Sequence, residues 1–276
     1  MPARPDASLD GVVTALERAG CVAAREEAAE LWVAAGGDEG TLERLVARRT
    51  AGEPLAWVTG RTVFCGLVLR VDPGVYVPRP QTEPLAERAA DRLRRAGTDV
   101  LGAPGARPGF GGRAVDLCTG AGTIAAVLKA RVPGAEVIAT DSSPAAVECA
   151  LANGVDARLG HLDEPVPPSW EQTVDVVTAV VPYVPTEALH LLDRDSRQFE
   201  PRAALDGGPG GRRWLEEVVR RAPRWLRPGR GALLLELGGD QHRVIRGALA
   251  EAGFGPVEVL LDEEGDPRGI EAVLTA

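Results

Sequence analysis

Residues 114 to 141 read AVDLCTGAGTIAAVLKARVPGAEVIATD, and this stretch decides the fold. The apolar run AVDLC predicts a buried strand, TIAAVLKA predicts a helix, and EVIAT predicts a second strand. A strand, a helix and a strand in succession form a unit whose two strands are parallel. The turn after the first strand is rich in glycine and opens a helix, so a ligand can approach its backbone and unpaired N–H groups.

The same alternation of strands and helices continues to the end of the chain, which predicts a parallel sheet covered on both faces. The last two strands are joined only by DEEGDPR, which is too short to hold a crossover helix, so we expect that pair to be antiparallel. The predicted elements after Asp141 are a helix in SPAAVECALANG, a short strand near VDARL, a strand in VDVVTAVV, a helix through about residue 227, a strand in ALLLEL, a helix through about Ala252, and the strands VEVLL and GIEAVL.

The chain before this alternation has a different pattern. Residues 8 to 50 carry apolar positions at helical spacing, with Gly20 and the pair Gly36 and Gly37 as breaks, and this predicts a small helical domain. WVTGRTVFCGLVLRVD, residues 57 to 72, predicts a hairpin around Gly60, followed by a helix through about residue 95. Residues 97 to 113 have the Gly and Pro content of a linker.

Composition excludes several classes of protein. The chain has 276 residues, 45% of them hydrophobic, a net charge of -9 and a pI near 5.0, which argues against bulk adhesion to nucleic acid or an anionic membrane. The four cysteines form no CxxC pair and the three histidines lack the spacing of metal ligands. The first residues have no apolar signal core and no apolar run could span a bilayer, so the sequence predicts a cytoplasmic protein.

Asp141 extends the argument to a cofactor. It ends the second strand, nineteen residues after Gly122, where a carboxylate can accept hydrogen bonds from two ribose hydroxyls, so an adenosine-type cofactor is predicted. NAD remains open, because Gly120, Gly122 and Ala125 satisfy the relaxed G-x-G-x-x-G/A pattern. The predicted antiparallel last strand and the lack of a second mononucleotide-binding half favour S-adenosylmethionine instead, as does an acid, Asp116, four residues before the first glycine.

A series of motifs in this order resembles the HemK-type protein-(glutamine-N5) methyltransferases, which modify a glutamine of peptide-chain release factors. The resemblance covers the chain from about residue 50 to the C-terminus. Within the family the chain is most similar to a divergent actinobacterial branch, in which Cys118 replaces a glycine of the cofactor turn. The motifs are EPLAWVTGRTVFCGLVLRVDPGVYVPRPQTE, the glycine turn, VVPYVP, FEPRAALDGGPGG and LELGGDQ.

The resemblance implies a fold and a division of the chain. The implied fold is α/β, a class I S-adenosylmethionine-dependent methyltransferase fold with a Rossmann-like seven-stranded sheet and an antiparallel last strand, plus a small N-terminal helical domain. The implied domains are an N-terminal helical substrate-recognition domain over residues 1–55, a β-hairpin and connecting helix over 56–96, and an S-adenosylmethionine-binding catalytic domain over 97–276.

The resemblance also implies roles for individual residues. Asp116, Thr119, Gly120 and Gly122 would face the methionine part of S-adenosylmethionine, Asp141 the ribose, His161 and Leu162 the adenine, and Thr82 would close over the cofactor carboxylate. His161 stands where the family has Asp, so by itself it reads as a surface histidine. The other cofactor-binding residues that the resemblance implies are Cys118, Ala121 and Ser142.

Three further interpretations concern residues to which the resemblance assigns no contact with the cofactor. Arg79, between two prolines, could simply be solvated. Asn153 and Gly154 read as a helix C-cap without a catalytic role. The arginines from Arg212 to Arg230 read as the exposed face of a helix and loop, with a docking patch for an acidic partner as the alternative.

The catalytic motif departs from the family at two positions. Val180, Val181, Pro182 and Tyr183 occupy the Asn-Pro-Pro-Tyr position, so Val180 stands where the family has the Asn whose side chain accepts a hydrogen bond from the substrate amide. Valine accepts nothing, which leaves the backbone carbonyls of Val181 and Pro182, and Tyr183 to pack against a flat acceptor group. One oriented hydrogen bond to a reacting group is worth about 2.7 to 4 kcal/mol.

These residues leave three functions open. The leading interpretation is a methyltransferase that modifies a glutamine side chain of a release factor or a related planar acceptor. The alternatives are a methyltransferase retargeted to a small-molecule amine or hydroxyl, and a cofactor-binding protein without turnover.

Overall fold

A mixed seven-stranded sheet forms the centre of the molecule, in a computed structural model that describes residues 6–100 and 111–275. The strands of this sheet are β3 (Arg113–Leu117), β4 (Glu136–Asp141), β5 (Ala157–Leu159), β6 (Val176–Ala179), β7 (Ala232–Glu236), β8 (Phe254–Leu261) and β9 (Pro267–Leu274). Their order in the sheet is β5-β4-β3-β6-β7-β9-β8, and only β9 runs against the others. The antiparallel last pair is therefore confirmed.

Hydrophobic cores cover both faces of this sheet, as the near-continuous apolar strands predict. One cluster joins Val115, Val177 and Leu233 to the helices that follow β6 and β7, and the other joins Ala114, Val176 and Leu234 to the helices that precede β3 and follow it. The covering helices are α5 (Glu83–Val100), α6 (Thr123–Arg131), α7 (Pro144–Ala152), α9 (Arg213–Arg221), α10 (Gln241–Val244) and α11 (Arg246–Glu251), while α8 (Arg194–Phe199) lies in the loop after β6.

Three helices form the N-terminal part of the chain, as predicted: α1 (Asp6–Arg18), α2 (Ala24–Ala34) and α3 (Glu39–Thr50). They bury a separate apolar cluster around Leu16, Ala28 and Leu31, which also receives Val58. Asp38 caps α3 by accepting a hydrogen bond from the Thr41 N–H at 2.7 Å. The predicted division into three domains remains a prediction.

The hairpin that follows is shorter than the sequence suggested. Residues 57–59 belong to a short helix, α4 (Leu55–Thr59), and Gly60 ends that helix in the left-handed conformation instead of forming the hairpin turn. The strands are β1 (Arg61–Phe64) and β2 (Leu67–Arg70), and Cys65 and Gly66 make the turn, both at positive φ. Phe64 and Leu69 pack on the same core as α5 and the large sheet.

Two helix ends also differ from the prediction. α5 extends to Val100, so the first part of the expected linker at 97–113 is helical, and residues 101–110 of that linker lie outside the described part of the chain. The helix expected to continue to about residue 227 ends as an α-helix at Arg221, and a single 3-10 turn, Ala222–Arg224, follows it. Pro223 explains this end, because a proline cannot donate the helical N–H bond.

The arginines after Arg212 are more engaged than an exposed face would be. Arg221 pairs with Asp163 at 2.8 Å, and Arg227 and Arg230 both approach the buried carboxylate of Asp175, at 3.0 and 3.6 Å. The Arg221 pair joins the end of α9 to the loop after β5, and the other two join the residue before β6 to the segment that precedes β7.

Candidate functional site

A cavity of about 700 Å³ opens at the carboxyl ends of β3, β4 and β6. In an open parallel sheet, this is the edge at which ligands bind. All of the predicted site residues except Gly122 line it. Those that line it are Thr82, Asp116, Cys118, Thr119, Gly120, Ala121, Asp141, Ser142, His161, Leu162, Val180, Val181, Pro182 and Tyr183.

The glycine turn between β3 and α6 forms one wall. Gly120 has φ +56°, and a Cβ built on it would meet no atom within 4 Å, so its backbone faces open space. Gly122 serves packing instead, since a Cβ there would lie 2.9 Å from the Cβ of Ala150 in α7. Cys118 adopts a left-handed φ of +55°, which glycine adopts without the steric cost that a side chain adds.

Asp116 lies at the base of this wall and is almost fully buried. Its carboxylate accepts hydrogen bonds from the hydroxyls of Thr119 at 2.5 Å and Thr178 at 2.7 Å. Burial raises the pKa of Asp116 to about 6, although both hydroxyls favour the ionised form. Asp116 is therefore a negative charge that a cationic ligand above it would stabilise.

Asp141 ends β4 on the neighbouring wall and braces the turn. One carboxylate oxygen accepts the N–H of Gly120 at 2.9 Å, and the other accepts the N–H of Ser143 at 2.9 Å. Burial raises the pKa of Asp141, and these backbone N–H groups act in the opposite direction. The Ser142 N–H also favours the ionised form, and a carboxylate has about four acceptor sites, so capacity for a further hydrogen bond from a ligand remains.

The strand end at VVPY forms the third wall. Val181 is buried in the sheet core, whereas Val180 is partly exposed and packs toward the opposite face, beside α5 and α6. Tyr183 donates its hydroxyl proton to Glu236 at the end of β7, at 3.0 Å. The side chains of Val180 and Val181 offer no polar atom to the cavity, as the sequence indicates.

Glu236 is a carboxylate that sequence reasoning did not place in the site. It is 2% exposed, and its second oxygen, Oε2, has no hydrogen-bond partner among the described residues. The Thr82 hydroxyl lies beside the carboxylate and, with Tyr183, favours its ionised form, but burial dominates and raises the pKa of Glu236. Glu236 belongs to the motif LELGGDQ, but the sequence around an acid in an apolar strand does not indicate which residue will be its hydrogen-bond partner.

Arg79 is not solvated, contrary to the prediction. Its guanidinium donates to the buried carboxylate of Glu200 and lies 5.0 Å from the ring centre of Tyr76. The second oxygen of Glu200 accepts the N–H of Val77 at 2.9 Å. These contacts fasten the segment before α5 to the loop after β6, and we call this pair of residues, Arg79 and Glu200, the latch.

That loop supplies a further wall of the cavity that no sequence motif identified. Leu192, Asp193, Asp195 and Ser196 line it, and Arg49 of α3 approaches the Asp195 carboxylate to 4.0 Å. The approach joins the N-terminal helices to the edge of the cavity.

His161 and Leu162 follow β5 and line the side of the cavity next to α9. His161 is half-buried, with its Nε2 3.4 Å from the Glu217 carboxylate and its ring edge-to-face with Trp214 at 5.6 Å. His161 thus lines the cavity from a partly exposed position, and its contact with a ligand stays a prediction. Leu162 adopts a left-handed φ of +47°, which turns the chain at this point.

Asn153 does more than end a helix. Its side chain donates to the carbonyls of Arg70 and Ala121, at 2.9 and 2.8 Å, and accepts the Arg70 N–H at 2.8 Å. It thereby ties the hairpin to the glycine turn. In the described part of the chain, no cluster of side chains could hold a metal ion, and no helix there has the length and apolar character of a bilayer span.

Comparison with known proteins gives consistent matches. Residues 96–163 match the family model described as methyltransferase small domain. The chain is 37% identical over 236 residues to a release factor glutamine methyltransferase of Geobacter sulfurreducens, covering 83% of this chain and 75% of that protein. It is 35% identical over 240 residues to a protein of the same name from Mycolicibacterium smegmatis, covering 85% and 79%.

A solved structure supports the fold. A methyltransferase from Pyrococcus furiosus aligns with a TM-score of 0.51 at 18% identity, over 76% of this chain and 90% of that one. At this identity the likeness concerns the arrangement of strands and helices alone.

Proposed function

Because this chain belongs to the release factor glutamine methyltransferase family, we propose that it transfers the methyl group of S-adenosylmethionine to a glutamine side-chain nitrogen of a peptide-chain release factor. The observation that carries this proposal is the cavity itself, which brings the glycine turn, Asp141 and the VVPY strand end to one edge of the sheet.

The residues of the cavity fit S-adenosylmethionine. The open backbone at Gly120 lets the methionine part approach the turn, and the Asp141 carboxylate lines the cavity at the strand end where a ribose diol would donate to it. Asp116 supplies a negative charge toward the cationic end of the cofactor. The adenine would lie against Leu162 and His161.

The cofactor supplies a methyl group on a positively charged sulfur. The amide nitrogen forms a bond to the methyl carbon while the carbon–sulfur bond breaks, with its electron pair left on sulfur, and the nitrogen then releases one proton to water. The task of the protein is to hold the nitrogen in line with that bond and to accept hydrogen bonds from its N–H groups as positive charge develops on it.

The VVPY strand end performs this task with fewer side-chain acceptors than the family motif has. The backbone carbonyls of Val181 and Pro182 remain as acceptors, and the Tyr183 ring offers a flat surface for the planar amide. We expect transfer to glutamine to be slow in consequence.

We also propose that the N-terminal helices help to recognise the protein substrate. The approach of Arg49 to Asp195 places α3 beside a wall of the cavity, so a macromolecule that presents a loop to the cavity would meet these helices as well.

Incubation with a purified release factor and labelled S-adenosylmethionine tests the proposal. We expect one methyl group on the glutamine of its Gly-Gly-Gln loop, located by mass spectrometry, and none on a control factor in which alanine replaces that glutamine. Label on a small-molecule amine or hydroxyl but not on the factor would show that the enzyme is retargeted. Cofactor binding without any transfer would show a protein without turnover.

A further inference from the structure

Glu236 occupies a position next to Val180 in the sheet. Ala179 pairs with Leu235 in the parallel register of β6 and β7, so the residues that follow, Val180 and Glu236, are neighbours. Both side chains project toward the face that α5 covers. Val180 packs on that face, and Glu236 lies two residues after Leu234 of the same core, so the two share a face of the strand. The polar group beside the valine is thus a carboxylate on the adjacent strand.

The hydrogen bond from Tyr183 to Glu236 determines whether the Tyr183 oxygen can donate to or accept from a ligand. The hydroxyl proton is donated to Glu236 Oε1 at 3.0 Å, so the lone pairs of Tyr183 Oη remain as acceptors. Tyr183 lines the cavity with Val180 and Thr82, whereas Glu236 lies behind them and is not part of the lining. A buried carboxylate costs several kcal/mol unless it is well paired. Glu236 has the Tyr183 hydroxyl on Oε1 and the Thr82 hydroxyl nearby, but Oε2 has no hydrogen-bond partner among the described residues, so its pairing is incomplete.

We propose that Tyr183 Oη accepts a hydrogen bond from an N–H of the substrate amide, in place of the side-chain acceptor that Val180 lacks. We further propose that Glu236 is a positioning residue, which keeps the Tyr183 hydroxyl proton directed away from the substrate. This inference rests on the proposed transfer to glutamine. The proton that the amide nitrogen loses still leaves to water, so the pair orients the nitrogen and undergoes no net change in the reaction.

A cycle of variants tests the first half of the inference. Tyr183→Phe keeps the ring and removes the oxygen, and we expect it to lower kcat about tenfold to a hundredfold, the effect of a hydrogen bond to a group that develops charge. KM for the release factor should change by less than about threefold. Adding Val180→Asn should suppress the defect, because the asparagine oxygen replaces the missing acceptor.

Val68→Asn is the matched control, since Val68 is an exposed valine of the hairpin. It should leave the Tyr183→Phe defect unchanged. Equal losses from Tyr183→Phe with and without Val180→Asn, or no loss at all, would overturn the inference and leave the proposed function standing. An unmodified protein that transfers no methyl to the release factor would overturn the proposed function, and the inference with it.

Glu236 is tested by two variants of similar size. Glu236→Gln keeps an amide oxygen that can accept the Tyr183 hydroxyl, so we expect it to retain most of kcat, whereas Glu236→Leu should lose as much as Tyr183→Phe. Equal activity of both variants at the level of the unmodified protein would contradict the positioning role.

A spectroscopic measurement gives a readout that does not depend on turnover. The chain has only two tyrosines, Tyr76 and Tyr183, so labelling with ¹³C at Cζ gives two NMR signals that Tyr76→Phe and Tyr183→Phe assign. We expect Glu236→Leu to shift the Tyr183 signal. A Gly-Gly-Gln peptide, added with the demethylated cofactor product, should shift it again, and an unmoved Tyr183 signal in both experiments would refute the inference.

Discussion

At the scale of single residues, Val180 sets the rate that we expect of this enzyme. Val180→Asn places an amide oxygen at the end of β6, where it can accept a hydrogen bond from the substrate nitrogen, and we expect kcat for release factor methylation to rise at least about tenfold. The gain should be largest in combination with Val181→Pro, which restores the turn of the family motif. The measurement is transfer of labelled methyl at saturating release factor.

Efficient glutamine methylation by the unmodified protein, with no gain from Val180→Asn, would show that Val180 is no obstacle. In that case the backbone carbonyls of Val181 and Pro182 suffice as acceptors for the amide. Thermal unfolding of each variant is the control, because a buried polar side chain can also lower stability.

Asp141 is the residue on which cofactor affinity should depend most directly. Asp141→Ala removes both the proposed ribose acceptor and the hydrogen bond from the Gly120 N–H that braces the glycine turn. We expect S-adenosylmethionine to bind at least about tenfold more weakly, or roughly 1.4 kcal/mol. Isothermal titration measures this, with Asp91→Ala on the exposed side of α5 as the control. Unchanged affinity, or preferential binding of NADH, would contradict the assignment.

The sequence predicted most positions of this site but few of its side-chain contacts. Asp116, Asp141 and the glycine turn follow strand ends, and the ends of parallel strands meet at one edge, so their proximity follows from local patterns. The Tyr183 bond to Glu236 joins residues far apart in the chain. No local pattern specifies such a partner, since its position depends on the order of strands in the sheet.

At the scale of elements, the latch of Arg79 and Glu200 should contribute to stability. Glu200→Ala would leave the partly buried guanidinium of Arg79 and the N–H of Val77 without their acceptor. Breaking a buried ion pair in this way costs about 3 kcal/mol or more. We expect a loss of this size in urea unfolding, and a weaker cofactor affinity, because both joined segments line the cavity.

Asp240→Ala provides the comparison for the latch. Asp240 pairs with Arg243 at 3.3 Å, but both side chains are about three-quarters exposed, at 77% and 75%. Such a pair contributes at most about 1 kcal/mol. A latch variant no less stable than Asp240→Ala would mean that the two segments are held by their apolar contacts.

The elements themselves were largely predictable, and the departures have local causes. Glycine is common both in turns and at helix ends, so Gly60 was interpreted as a hairpin turn although it terminates α4. The Cys65 and Gly66 turn was hidden because cysteine rarely adopts positive φ. The short connection before β9 predicted that β9 runs antiparallel to β8. It did not predict that β9 lies between β7 and β8.

At the scale of the whole molecule, the two acids that line the cavity should link cofactor binding to pH. Burial raises the pKa of Asp116 to about 6 and also raises the pKa of Asp141. Between the ordinary aspartate range and pH 6, the folded protein therefore binds more protons than the unfolded chain. The contribution of Asp116 to stability consequently falls as pH rises through this window.

A cationic ligand reverses the preference of these acids, because positive charge beside a carboxylate favours its ionised form. Binding of S-adenosylmethionine below pH 6 must then release a proton, and its affinity should weaken by up to about tenfold for each unit that the pH falls below 6. Above pH 7 the affinity should be nearly constant. Titration in two buffers of different ionisation enthalpy measures the proton release directly, and Asp116→Asn should flatten the pH dependence. An affinity that is independent of pH from 5 to 7 in the unmodified protein would show that Asp116 is already ionised before the cofactor binds.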